Sequence, residues 1–72
     1  MLIELSKQSR HCTIAMQTDL LGQITILQIA TKLFAGRKGV YKKEFTFEDL
    51  KLANDFLFTL EVRYRQRGYI YC

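Results

Sequence analysis

Proline is absent from this chain of 72 residues, only one histidine and two cysteines occur, and no apolar run approaches the length of a membrane span. Each shortage excludes something. A chain without proline, with 49% apolar residues and with five Phe and four Tyr, lacks the low hydrophobicity of disordered segments and is expected to fold. At this length it makes one domain, residues 1–72, near the size where a single core buries only about 60% of the unfolded surface. That leaves no room for an enzyme and its lid. Cys12 and Cys72 are read as free thiols, because small disulfide scaffolds use more cysteines. His11 has no second histidine or close cysteine pair to complete a zinc site, so neither metal nor cofactor is expected. A membrane helix needs about 18 apolar residues, and the start lacks the order of a signal peptide, so the expected location is the cytoplasm.

Acids are also few. Eleven Lys and Arg stand against seven Asp and Glu, giving a net charge of +4, and the distribution says more than the sum. Between Lys32 and Lys43 lie five basic residues (Lys32, Arg37, Lys38, Lys42, Lys43) and no acid, and Arg63, Arg65 and Arg67 follow near the end. Two short segments thus hold eight of the eleven cations. Such clusters suit a phosphate backbone, whose binding weakens as salt rises. An equally weighted reading makes them a solvated hairpin and a helix end favoured by the helix dipole.

Hydrophobic spacing predicts the elements. Leu2, Ile3 and Leu5 form a short first strand, closed by a turn from Ser6 to Arg10. Cys12, Ile14 and Met16 alternate with Thr13, Ala15 and Gln17, marking a strand with one buried face. After a turn between Asp19 and Gly22, Ile24 and Ile26 share one face while Leu27 and Ile29 take the other, which points to a bulge or twist in preference to a sheet covered on both sides. Gly36 and Gly39 mark a hairpin. Val40 to Phe45 form the next strand, Tyr41, Lys43 and Phe45 on one face. Thr46 is expected to cap a helix whose buried stripe is Leu50, Ala53, Leu57, Leu60 and Tyr64, widened by Phe56, and Gly68 to follow its end. Phe58 and Val62 point away from that stripe, which makes them candidates for a partner interface. No nucleophile with an oriented base and no phosphate loop of useful spacing appears. A non-enzyme is expected.

Taken in order, Ser9-Arg10-His11-Cys12, Asp19-Leu20-Leu21-Gly22, the two spaced glycines, Phe45-Thr46 and Arg65-Gln66-Arg67-Gly68-Tyr69 resemble a WGR domain over the whole chain. Ala30-Thr31-Lys32 stands where that family carries Trp-Gly-Arg, and Ile24 where many bacterial members have another Trp. The resemblance implies an α+β fold, a small antiparallel sheet of four to five strands with one long helix across it. In eukaryotic poly(ADP-ribose) polymerases such domains bind DNA ends, the Trp packing on a nucleotide and the Arg making polar contacts. Ala30 cannot stack, and Lys32 keeps charge without the planar donor fork.

Two functions from different classes remain. The first is a nonspecific nucleic-acid-binding module, DNA before RNA, using Lys32, Arg37, Lys38, Lys42, Lys43, Arg63, Arg65 and Arg67. The second is a protein-interaction regulator or inhibitor from a phage or plasmid, using Phe58 and Val62 toward a protein or a second copy in a homodimer, or the basic hairpin toward an acidic protein.

Overall fold

The alternation in the first half of the chain resolves into strands in the computed structural model, which describes all 72 residues except the side chain of Phe34. Strands β1 (Leu2–Lys7), β2 (Arg10–Thr18), β3 (Ile24–Phe34) and β4 (Arg37–Phe47) are followed by helix α1 (Leu50–Gln66) and the short strand β5 (Ile70–Tyr71). The five strands form one antiparallel sheet in the order β4-β3-β2-β1-β5, and the helix packs on one face, an α+β fold. No helix is long and apolar enough to cross a membrane among the described residues.

Burial follows strand parity. Leu5, Cys12, Ile14, Ile24 and Ile26 point to the helix and are buried, and Ala53, Leu57, Leu60 and Tyr64 meet them from α1. Ala53 is fully buried, and its small side chain lets the helix approach closely. Phe56 widens the stripe as its spacing predicts, its ring 4.4 Å from that of Phe45 and 5.3 Å from that of Phe47. Tilted rings at such separations add specific attraction to the area they bury.

Several boundaries differ from the sequence expectation, each for a local reason. β1 runs on to Lys7, so the turn shrinks to Gln8 and Ser9, with Lys7 opposite Arg10. β4 spans Arg37–Phe47 rather than Val40 to Phe45, and Gly39 sits inside it opposite Lys32 instead of in a turn. The hairpin turn is Ala35-Gly36, both left-handed with φ of 51° and 77°, as the tightest hairpins require. Thr46 is not the helix cap. Pairing of Thr46 with Thr25 and of Phe47 with Ile24 holds both in the strand, and Asp49 caps α1, its Oδ1 accepting from the Lys51 amide at 2.8 Å. Leu50, expected in the buried stripe, is exposed in the first turn. β3 contains no bulge, for its register with β2 and β4 runs unbroken. Its second apolar set, Leu27 and Ile29, faces the side of the sheet that the helix does not cover.

At the helix end Arg67 closes the last turn and Gly68 follows at φ 95°, a left-handed step suited to glycine. The Lys7 ammonium donates to the Arg67 carbonyl. A Cβ at position 68 would meet that lysine side chain at 3.4 Å.

Two substitutions separate these boundaries. Asp49→Ala is expected to cost about 1 kcal/mol by loss of the cap, while Thr46→Ala stays within about 0.5 kcal/mol as an exposed strand change. Urea unfolding of both variants checks this. Ala35→Asn is expected to stabilise by roughly 0.5–1 kcal/mol, since Ala carries the left-handed penalty that Asn tolerates; an unchanged or lower urea midpoint would refute it.

Candidate functional site

Pairing in the sheet and the helix's direction decide which cations meet. Arg10 begins β2 directly opposite Lys32 of β3, and both side chains rise on the helix-covered face near the helix C-terminus. On β4, Tyr41 lies opposite Ala30 and Lys43 opposite Gln28, again on that face. From above, the last two turns of α1 bring Arg63, Tyr64 and Arg67. The outcome is two adjoining concavities. One, of about 450 Å³, is lined by Arg10, Lys32, Tyr41, Arg67 and Tyr69 among others. The second, of about 210 Å³, is lined by Tyr41, Lys43, Arg63 and Arg67 among others. They share Tyr41, Tyr64 and Arg67, so they form one groove between the β3–β4 hairpin and the helix end.

Tyr64 organises this groove. Its ring is buried, and its hydroxyl accepts a hydrogen bond from Gln28 Nε2 at 2.5 Å. Tyr69 meets it edge-on with centroids 4.9 Å apart, and the Arg67 guanidinium sits 5.9 Å from the ring centre. Lys43 lies 5.1 Å from the centre of the Phe45 ring. Held by aromatic faces, these cations are oriented before any ligand arrives.

Of the eight cations singled out by sequence, Lys32, Lys43, Arg63 and Arg67 line the groove. Arg37 and Lys38 flank a concavity at the hairpin tip with Lys32 and Gly39, in line with the groove along β4. Lys42 is on the opposite face of the sheet, because its register neighbours Tyr41 and Lys43 take the helix side. Arg65 turns away as well, its guanidinium 5.4 Å from the Tyr71 ring centre. Arg10 was not among the sequence-derived candidates. The signal for it exists only in the pairing of Arg10 with Lys32, which joins residues far apart in the chain. Tyr41 shared a predicted face with Lys43, but only the fold turns that face toward Arg63 and Arg67.

The groove has no acid among its lining residues, while Asp19, Glu48 and Asp49 sit at the other end of the molecule, beside the β2–β3 turn and the start of α1. Phe58 stands 66% exposed on the outer side of the helix, and Val62, one turn on, is half-buried. Neither belongs to the groove. No group of three or more His, Cys, Asp or Glu positioned to hold a metal occurs among the described residues.

Burial pushes the Tyr64 hydroxyl from its ordinary 10.0 up to about 12, with the Cys12 hydrogen bond adding to the rise and the Gln28 bond opposing it. Burial also raises the Cys12 thiol from 9.0, against the effect of Tyr64. Both groups keep their protons more tightly when folded, so their contribution is fully present below pH 9 and is lost as pH climbs from there through about 12. Tyr64→Phe is expected to cost about 1 kcal/mol at neutral pH, where Gln28 loses its acceptor. It should also flatten the alkaline fall in stability. Urea midpoints measured from pH 7 to 11 check both effects, and an alkaline limb as steep as that of the unsubstituted chain would refute the assignment.

No protein-family model, curated protein or solved structure matches this chain.

Proposed function

We propose that this protein is a non-catalytic module that binds nucleic acid, DNA before RNA, through the phosphate backbone and without reading sequence. The observation that carries this reading is the convergence of Arg10, Lys32, Lys43, Arg63 and Arg67, from three strands and one helix, on a groove that also presents Tyr41 and Tyr69. Arrayed cations on a rigid surface hold phosphates, and exposed aromatic faces accept any base. Tyr41 is 52% exposed and lies beside Ala30 across the strand pair. It supplies aromatic surface next to the position where WGR domains carry Trp. The resemblance to that family supports the same function.

A protein-partner reading draws on a different feature, the exposed ring of Phe58 on the far side of the helix. Its surface and the groove do not overlap, so substitutions separate the two.

Fluorescence anisotropy with duplex and single-stranded DNA tests the proposal. Five phosphate contacts give a log–log salt slope of about −3.5 for single strands to about −4.5 for duplex, or roughly a 100- to 500-fold loss of affinity between about 50 and 200 mM salt. Lys43→Glu combined with Arg67→Glu is expected to abolish binding. Lys42→Glu and Arg65→Glu, outside the groove, should leave most of it. No binding at low salt would overturn the proposal, and loss of partner capture by Phe58→Asp alone would favour the protein reading.

A further inference from the structure

The helix covers one face of the sheet, and the opposite face has no element over it. By strand parity the middle of that face carries Leu2, Glu4, Thr13, Ala15, Leu27, Ile29, Lys42 and Glu44, while towards its two ends lie Val40, Thr31 and Leu33 among the polar Ser6, His11, Gln17, Thr25, Lys38 and Thr46. Leu2 and Val40 are 63% and 62% exposed. A solvated sheet face ordinarily alternates polar residues outward, whereas here β3 presents Leu27, Ile29 and Leu33 on that side. Its β-branched and aliphatic side chains have the character of a surface that packs against another sheet.

The register shows which surface fits. One row across the sheet reads Lys42, Ile29, Thr13, Glu4 from β4 to β1, with the positive charge at one side, the negative at the other and apolar or small groups between. The next row reads Glu44, Leu27, Ala15, Leu2. Place a two-fold axis parallel to the strands, between β2 and β3 and beneath this face. β4 then lies over the partner's β1, and β3 over the partner's β2. Lys42 meets the partner's Glu4 and, by symmetry, Glu4 meets the partner's Lys42, while Ile29 lies against the partner's Thr13. In the second row Leu27 lies against the partner's Ala15, large against small, and Leu2 against the aliphatic stem of the partner's Glu44. Interdigitated faces about 10 Å apart need this complementarity.

We infer that the open sheet face binds a second copy of this chain, forming a face-to-face two-fold dimer with reciprocal Lys42–Glu4 ion pairs at its sides. The outer edge of β4 is a poorer surface for self-association, because Lys38, Lys42 and Lys43 along it discourage strand addition. The dimer leaves the two basic grooves outside, one on each outer layer, since each groove lies on the helix side of its own sheet. The inference does not depend on nucleic-acid binding.

Sedimentation equilibrium from about 5 to 500 µM, the range that resolves micromolar association, is expected to show a monomer–dimer equilibrium. Lys42→Glu places two carboxylates together at each side and should weaken the dimer by at least about tenfold, as should Glu4→Lys. The double variant Lys42→Glu/Glu4→Lys restores opposite charges and should recover affinity to within about threefold. Neither side chain is buried, so circular dichroism and melting should show all three variants folded. A monomer throughout the range overturns the inference. A dimer that survives both single reversals, or that the double variant fails to restore, overturns this geometry. Lys43→Glu with Arg67→Glu, which tests the groove, should leave dimerisation unchanged, so the two proposals fail separately.

Discussion

Tyr64 holds the parts of this protein together. Its ring is the last buried residue of the helix stripe and packs in one core with Cys12 of β2, its hydroxyl reaches Gln28 on β3, and Arg67 and Tyr69 lie against its ring. A buried phenol must find hydrogen-bond partners or incur the cost of desolvation, so its position fixes the helix end against the central strands. The chain reversal at Gly68 and the return of β5 to the edge of β1 follow from that anchorage. The same contacts make Tyr64 a wall shared by both halves of the basic groove. Structural stability and the geometry of the candidate site thus rest on one side chain.

A single helix on a five-stranded sheet leaves an asymmetric object. One face has a core of nine buried residues, and the other has aliphatic side chains half-covered only by their neighbours. In a domain this small, the buried fraction of the surface is low to begin with. Covering the second face by self-association would raise it without lengthening the chain. The basic groove and the open face lie on opposite sides of the sheet, so the two proposed functions do not compete for surface. Charge is also unevenly placed, with cations gathered at the hairpin and helix end and no acid lining the groove between them.

Much of the architecture was legible from spacing. Period-two alternation in β2 and the three-and-four spacing of Ala53, Leu57, Leu60 and Tyr64 each identify an element and its buried face, because side-chain direction repeats with backbone geometry. Errors fell at boundaries and at β3. Thr46 has the chemistry of a helix cap, yet cross-strand pairing of Thr46 and Phe47 outweighs it and moves the cap to Asp49. Apolar residues on both sides of β3 suggested a bulge, when the physical cause is an unbroken strand whose second face lacks a cover. Spacing records which face each side chain takes, and only the assembled sheet shows which face the helix covers.

Composition and pattern determined by themselves that the chain folds, that it holds several strands and one long helix, and that its positive charge is gathered into two segments. Those properties depend on local spacing, which a linear sequence records directly. Which cations meet was decided only by the tertiary structure. Strand parity sends Lys43 to the groove and Lys42 to the opposite face though they are adjacent in the chain, and antiparallel pairing brings Arg10 beside Lys32 across the sheet. The helix end adds Arg63 and Arg67 but turns Arg65 toward Tyr71, since consecutive odd positions on a helix point about 200° apart.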